Sequence, residues 1–151
     1  MKKSPVLFFC LSLIILALDQ ATKYYIKTHI GPFDPLRILP FFDIVYVENT
    51  GSAFGMFKFL GSSFFIVVSV VAIIVLSVLV IKDMRNRIAY SLLLGGAAGN
   101  LLDRLFYGHV IDFLDVYVGR YHWPAFNVAD SALTIGIALL FFKAVFGIRN
   151  H

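Results

Sequence analysis

Residues 95–104 read GGAAGNLLDR and lie within an apolar run that extends from Ile88 to Tyr107. In a helix, residues four apart lie above one another, so this stretch builds two neighbouring rows of side chains. The rows are Gly95, Gly99, Asp103 and Gly96, Asn100, Arg104. In each row, the residues at one end are glycines, which let another helix approach closely, and the residues at the other end are polar. The stretch predicts a tightly packed helix whose contact surface ends in a polar site.

The rest of the chain has the composition of a membrane protein. Of its 151 residues, 60% are hydrophobic, whereas soluble domains are roughly half apolar. A helix needs about 20 apolar residues to cross the hydrocarbon core of a bilayer. Four runs meet that length: Pro5 to Ile26, Ser62 to Ile81, Ile88 to Tyr107, and Asn127 to Gly147. We predict an all-α membrane protein of four transmembrane helices, forming a single domain over residues 1–151.

Basic residues in the short connections predict the orientation in the membrane. Positive charges favour the cytoplasmic side, and here they are Lys2, Lys3, Lys82, Arg85, Arg87 and Arg149. Both termini are then cytoplasmic. Of the nine acidic residues, all except Asp83 fall on the other side or in the outer ends of the helices. Topology thus explains the net charge of +4, and we expect no nucleic-acid partner.

Acidic residues on three helices reach one level near the outer boundary of the membrane. With a helical rise of about 1.5 Å per residue, Asp19 and Asp103 lie about 24 Å from the basic ends of their helices. Asp130 lies about 28 Å from the basic end of the last helix. Asp112 comes just beyond the third run. Any one of these acids alone is most simply an interfacial cap, but together they indicate a pathway, a pairing network or a reaction centre.

Polar neighbours of these acids suggest distinct roles. Asn127 stands three residues before Asp130 and is placed to cap the fourth helix. Asp19 and Lys23 are four residues apart, which predicts a helical ion pair with a structural role. Two carboxylates in a desolvated site can share one proton, so that one activates water while the other polarises a carbonyl group. Spacing alone leaves open whether Asp112 and Asp130 meet.

Two outer segments connect the helices. The first, residues 27–61, contains three prolines and then the alternating stretch from Phe41 to Val47, which predicts a small extracytoplasmic β-sheet lying on the membrane. The second, residues 108–126, carries aromatic residues of the kind that anchor a protein at the membrane interface. They are Tyr117, Tyr121, Trp123 and Phe126.

Other functions fit the same residues less well. A serine peptidase would use Ser52 with Lys58, but the glycine-framed serine motif is missing. A zinc peptidase would use His109, Asp112 and His122 without the usual zinc-binding helix motif. A proton-coupled carrier would place its acids at the midplane, and a structural subunit would explain the glycines but not the acids. Proteolysis by a purified sample separates these alternatives.

Five stretches of the chain resemble the lipoprotein signal peptidase family, also called signal peptidase II. They are residues 19–23 (DQATK), 49–54 (NTGSAF), 95–104 (GGAAGNLLDR), 110–113 (VIDF) and 126–131 (FNVADS). Their order and spacing agree with the family from end to end. The resemblance implies an aspartic endopeptidase of the bacterial inner membrane. It would remove the signal peptide from diacylglyceryl-modified prolipoproteins, cutting on the N-terminal side of the lipidated cysteine.

The resemblance also implies a role for individual residues. The catalytic aspartates are Asp112 and Asp130. The supporting or substrate-binding residues are Asn49, Gly51, Asn100, Asp103, Arg104, Asn127, Asp19 and Lys23. We expect no metal ion or cofactor, a monomer, lipid-modified prolipoproteins and membrane lipids as partners, and an active site near the extracytoplasmic face. Ser52 departs from the family, which often has alanine there.

Overall fold

The structure is a computed structural model that describes residues 4–32, 34–51 and 61–147. These residues form four helices, α1 (Pro5–His29), α2 (Gly61–Lys82), α3 (Arg87–Tyr107) and α4 (Val128–Phe146). Each helix coincides with one of the predicted runs. Only α1 is clearly longer than predicted, because it continues beyond Ile26 to His29. Lys27 and His29 lie in that added turn, where basic side chains suit the negative end of the helix dipole.

The helices differ in their apolar character. Within the described ranges, α1, α2 and α4 are long and apolar enough to cross a membrane. The remaining helix, α3, packs against each of the other three. Its buried residues include Gly95, Gly99 and the polar Asn100. The chain is therefore a mainly helical membrane-type protein in which the most polar helix lies at the centre.

The segment between α1 and α2 and the segment between α3 and α4 pair with each other in one antiparallel sheet. Its strands are β1 (Leu36–Leu39), β2 (Phe42–Asn49), β3 (Val110–Val118) and β4 (Tyr121–His122), in that order across the sheet. The prediction of a strand from Phe41 to Val47 is confirmed by β2, whose ends lie within one or two residues of the predicted ends. Asn49 lies opposite Val110, and Val47 lies opposite Asp112. The pairing of β2 with β3 therefore brings the polar end of β2 beside Asp112.

Glycines of α3 lie where the neighbouring helices pass closest. A Cβ atom on Gly95 would come within 2.7 Å of the Ser12 carbonyl oxygen of α1. On Gly99 it would come within 2.5 Å of a carboxylate oxygen of Asp19. Helix α4 approaches Gly96, in the neighbouring row, just as closely. The small residues of α3 thus allow close contact with α1 on one side and with α4 on the other.

We expect Gly96→Ala to destabilise the protein even though alanine is the better helix former. The exchange gains about 1 kcal/mol in helix propensity. The new Cβ would, however, lie 2.5 Å from the Ala129 carbonyl oxygen and 2.9 Å from Leu133 Cγ. Such overpacking costs about 1–3 kcal/mol and displaces the start of α4. Thermal unfolding in detergent tests this against Gly31→Ala, whose Cβ would meet just one atom of the described residues, Asp34 Cβ at 3.9 Å. A melting temperature raised in Gly96→Ala would contradict the close packing.

Candidate active site

A buried group of three charges joins α1 to α3. Lys23 Nζ lies 2.8 Å from Asp19 Oδ2 and 2.9 Å from Asp103 Oδ2. All three side chains are at most 2% exposed. The i,i+4 pair of Asp19 and Lys23 is present as predicted, and Asp103 adds a second carboxylate to the same ammonium. We call Asp19, Lys23 and Asp103 the buried brace.

The buried brace also holds the elements that carry the candidate catalytic residues. Asp19 Oδ1 accepts a hydrogen bond from the Ala129 backbone N–H at 2.9 Å, in the first turn of α4. Asp103 Oδ2 accepts one from the Ile111 N–H at 3.1 Å, in β3. Gln20 Nε2 donates to Asp103 Oδ1 at 2.9 Å. Buried charges are tolerated only when they are paired and hydrogen-bonded, and each carboxylate here has several partners.

Asn127 connects the elements that carry Asp112 and Asp130. Its side-chain oxygen accepts a hydrogen bond from the Asp130 backbone N–H at 2.8 Å, as expected of the residue that caps α4. Its Nδ2 donates to Asp112 Oδ1 at 2.8 Å. Asn127 is completely buried. One side chain therefore brings a residue of β3 and a residue of α4 to the same place.

A side-chain amide other than that of Asn127 donates a hydrogen bond to each of the two carboxylates. Asn49 Nδ2 donates to Asp112 Oδ2 at 2.9 Å. Asn100 Nδ2 donates to Asp130 Oδ1 at 2.8 Å. The two carboxylates thus lie among amide donors from β2, α3 and the start of α4, and these donors fix their positions.

Gly51 and Arg104 hold the Asn49 side chain in place beside Asp112. The Gly51 N–H donates to Asn49 Oδ1 at 3.0 Å, which orients the Asn49 amide with its nitrogen toward Asp112. The Gly51 carbonyl accepts a hydrogen bond from Arg104 Nη2 at 3.2 Å. The Arg104 guanidinium also lies 5.1 Å from the ring centre of Phe65 in α2. Arg104 thereby holds the end of β2 against the helices.

The two aspartates line a cavity of about 550 Å³ between the sheet and the helices. Six of the ten residues proposed from the sequence line it: Asn49, Gly51, Asn100, Arg104, Asp112 and Asp130. The other four, Asp19, Lys23, Asp103 and Asn127, are buried and reach the site through their hydrogen bonds. The cavity continues along apolar side chains that include Leu133 and Ile137 of α4.

The environment of Asp112 favours its protonated form. Burial, followed by the nearby Asp130 carboxylate, raises the pKa of the Asp112 carboxyl to about 7. The amide donors of Asn49 and Asn127 act in the opposite direction, because they stabilise the ionised carboxylate. Near neutral pH, a carboxyl group in this site can therefore keep a proton beside a second carboxyl group.

Two further residues contribute to the site without having been predicted. Gln20 contacts both carboxylates of the buried brace, at 2.9 Å from Asp103 and 3.2 Å from Asp19. Gln20 could have been predicted as part of the site, because it is a polar residue inside an apolar helix and adjoins Asp19 in the sequence. Trp123 lines the cavity, although its sequence context predicts an interfacial anchor, and nothing in its spacing distinguishes the two roles.

The residues of the competing chemistries do not assemble in the described part of the chain. His122 Nδ1 lies 2.8 Å from Asp115 Oδ2, and His109 Nε2 lies 3.5 Å from Glu48 Oε1. Across residues 4–32, 34–51 and 61–147, no group of three or more His, Cys, Asp or Glu side chains is arranged to hold a metal ion. Ser52 and Lys58, the serine peptidase alternative, lie outside the described residues.

Neighbouring carboxyl groups that can share one proton are typical of aspartic peptidases, and Asp112 and Asp130 line the same cavity of a membrane-type helical fold. The family model for signal peptidase II matches residues 11–146. The chain belongs to the signal peptidase II family of membrane aspartic peptidases, and both the predicted family and the predicted enzyme class are confirmed.

Individual relatives agree over nearly the whole chain. A lipoprotein signal peptidase of Thermodesulfovibrio yellowstonii is 53% identical over 130 residues, which cover 86% of this chain and 88% of the relative. One of Syntrophus aciditrophicus is 44% identical over 149 residues, covering 93% and 92%. Two solved structures, each described as a bacterial membrane enzyme, superpose with TM-scores of 0.85 and 0.81 at 34% and 33% identity. Both cover 95% of this chain, and the matches cover 90% and 94% of those structures.

Proposed function

We propose that this protein removes signal peptides from diacylglyceryl-modified prolipoproteins, with Asp112 and Asp130 as the catalytic pair. The relatives named lipoprotein signal peptidases support the substrate class. The observation that carries the catalytic assignment is the bridge through Asn127, which binds the Asp112 side chain and the Asp130 backbone at 2.8 Å each. We assign Asn49, Gly51, Asn100, Arg104 and Asn127 to the positioning of this pair and of the substrate. The buried brace of Asp19, Lys23 and Asp103 supports α1 against α3.

The pair supplies both proton transfers that peptide hydrolysis needs. The ionised carboxylate takes a proton from a water molecule while that water attacks the scissile carbonyl carbon. The protonated carboxyl donates a hydrogen bond to the carbonyl oxygen, on which negative charge develops. When the tetrahedral intermediate collapses, the proton taken from water passes to the leaving nitrogen, and the C–N bond breaks. The pair again holds one proton at the end of the cycle.

The cavity wall formed by α4 suits an apolar substrate. Apart from the candidate catalytic Asp130, two polar residues of α4 line the cavity, but their hydroxyl groups bond to backbone carbonyls at or near the start of their own helix. Ser131 Oγ donates to the Asn127 carbonyl at 2.9 Å, and Thr134 Oγ1 donates to the Asp130 carbonyl at 2.8 Å. With Leu133 and Ile137 beside them, these residues present an essentially apolar surface. Such a surface fits the hydrophobic part of a signal peptide or an acyl chain.

We further assign all four helices to the membrane, with both termini in the cytoplasm and the sheet outside. Helix α3 keeps Asn100 and Asp103 buried, so its polar groups need not meet lipid. Trp123, which lines the cavity, is 61% exposed, and Tyr121 of β4 is 79% exposed, as suits aromatic residues at the membrane interface. The protein then acts as one monomeric domain in contact with outer-leaflet lipids.

A time course with one substrate peptide, prepared with and without its diacylglyceryl group, tests the proposed function. We expect the lipidated peptide to be cut much faster, with the cysteine as the new N-terminal residue of the product. Asp112→Asn, purified in the same way, controls for contaminating peptidases. Equal cleavage of both peptides would contradict the substrate class, and no cleavage of either would favour the carrier or structural alternative.

Cleavage should decline as the pH rises above about 7, the pKa of Asp112. The pKa is raised, so Asp112 holds its proton below that pH and loses it above, and the doubly ionised pair cannot polarise the substrate carbonyl. We expect kcat/KM to fall about tenfold per pH unit on the alkaline side. Asn49→Ala should move this decline to higher pH, because the Asn49 amide stabilises the ionised form. A profile that stays flat to pH 9 in the wild type would contradict a shared proton.

A further inference from the structure

The Asn100 amide is held in one of its two possible orientations. Its Oδ1 lies 3.0 Å from Lys23 Nζ and 3.3 Å from Asn127 Nδ2. An ammonium and an amide nitrogen can only donate, so the atom that faces them must be the oxygen. The Asn100 nitrogen therefore points the other way and donates to Asp130 Oδ1 at 2.8 Å.

Lys23 is the stronger of the two groups that impose this orientation. Its ammonium has three hydrogens and three close acceptors, namely Asp19 Oδ2, Asp103 Oδ2 and Asn100 Oδ1. The contact from Asn127 is longer, and the same Asn127 nitrogen also contacts Asp112 at 2.8 Å and the Ile111 carbonyl at 3.2 Å. A charged donor makes a stronger hydrogen bond than a shared neutral one.

We propose that Lys23 is a positioning residue for the catalytic pair, because its ammonium orients the Asn100 amide so that the nitrogen faces Asp130. The inference rests on the proposed catalytic role of Asp112 and Asp130. It gives the buried brace a second task besides joining α1 to α3. The two carboxylates of the brace hold Lys23 within reach of Asn100, and Asn100 passes the orientation on to Asp130.

The orientation decides which form of Asp130 is stabilised. With its nitrogen toward Asp130, Asn100 supports the ionised carboxylate that accepts a proton from water. If Lys23 were absent, the amide could turn and present its oxygen to Asp130. An oxygen there repels the carboxylate and accepts a hydrogen bond from the carboxylic acid. The proton of the pair would then move toward Asp130, and the water-activating form would become rarer at a given pH.

Lys23→Met tests the inference, since methionine fills a similar volume without a donor. We expect kcat to fall about 10²-fold, the loss typical of a misplaced catalytic group. We expect the acid limb of the pH profile to move upward, because a nearby positive charge is lost and the Asn100 nitrogen is no longer kept facing Asp130. The control is Ser12→Ala, which removes a buried hydrogen bond of 2.9 Å from α1 to the Ser91 carbonyl. That variant should lower the melting temperature and leave the pH profile in place.

A charge-matched pair of variants covers the case in which Lys23→Met fails to fold. Asp103→Asn retains the Lys23 contact to Asn100. The buried brace carries a net charge of −1 in the wild type and 0 in Asp103→Asn. Adding Lys23→Met to Asp103→Asn restores the charge to −1 and removes the Lys23 contact to Asn100. The wild type and the double variant carry the same net charge in the buried brace, so the inference predicts that the acid limb lies at higher pH in the double variant than in the wild type. If the pH profile of the double variant, or that of Lys23→Met, coincides with that of the wild type, Lys23 is purely structural.

The proposed function is judged separately in the same assay. Asp130→Asn, the less disruptive of the two aspartate variants, must be inactive for the catalytic pair to stand. An inactive Asp130→Asn together with an unaltered pH profile in the Lys23 variants overturns only the positioning role. An active Asp130→Asn overturns the catalytic assignment itself.

Discussion

Asp112→Asn and Asp130→Asn are each expected to reduce cleavage by roughly 10³-fold or more, because an amide can neither accept the proton from water nor share one. The two variants should differ in stability. Both oxygens of Asp112 accept hydrogen bonds from amide nitrogens, those of Asn49 and Asn127. An amide at position 112 would place one NH2 group against another donor, which costs about 1–3 kcal/mol.

Asp130→Asn is therefore the cleaner of the two tests. In the described residues, only Oδ1 of Asp130 accepts a side-chain hydrogen bond, from Asn100. An asparagine can keep its oxygen at that position and turn its nitrogen elsewhere. We expect a melting temperature close to that of the wild type together with the loss of single-turnover cleavage. Near-normal turnover in this stable variant would rule out the two-aspartate mechanism.

Among the variants proposed here, Asp19→Ala is expected to lower the free energy of unfolding most, by about 3 kcal/mol or more. Asp19 is completely buried, pairs with Lys23 at 2.8 Å and accepts the Ala129 N–H at 2.9 Å. Its removal leaves a buried N–H without its partner and reduces the countercharge around Lys23. Lys23 still contacts Asp103 and Asn100, so folded molecules should retain turnover within about tenfold of the wild type.

Thermal unfolding and single-turnover cleavage of Asp19→Ala separate these two effects. Thr22→Ala is a suitable control on the same helix, because within the described ranges the Thr22 hydroxyl bonds only to α1 carbonyl groups, at 2.8 Å from Leu18 and 2.9 Å from Asp19. It should change neither quantity appreciably. A fully stable Asp19→Ala protein without turnover would instead place Asp19 in direct contact with the substrate.

The helices were predictable from the sequence because membrane thickness sets their length. Apolar runs of about 20 residues located α2, α3 and α4 within one or two residues, and the four-residue spacing predicted the pair of Asp19 and Lys23. The polar end of α3 was also evident, since Asn100 and Asp103 follow a row of glycines. That Asp103 shares the ammonium of Lys23 was not, because this contact depends on how α1 and α3 are rotated against each other.

The assembly of the site was beyond prediction from spacing. Asp112 reaches it only because β3 pairs with β2, and the aromatic residues after position 113 suggested membrane anchors instead of a strand. The meeting of Asp112 with Asp130 also depends on a single buried side chain, Asn127. Family resemblance supplied the two aspartates as a pair. The hydrogen bonds that hold Asp112 and Asp130 could be seen only in the structure, because they join elements that are far apart in the sequence.

The double use of Asn127 restricts which residues the protein can accept at that position. Serine, threonine and aspartate are normally interchangeable with asparagine at the start of a helix. Each of them can accept the Asp130 N–H and so begin α4. Aspartate has no donor for Asp112, and a hydroxyl has only one hydrogen and a shorter reach, whereas Asn127 contacts both groups at 2.8 Å. A position that is among the most permissive of an ordinary helix thus becomes one of the least permissive here, and random mutagenesis under selection for cleavage should recover asparagine alone.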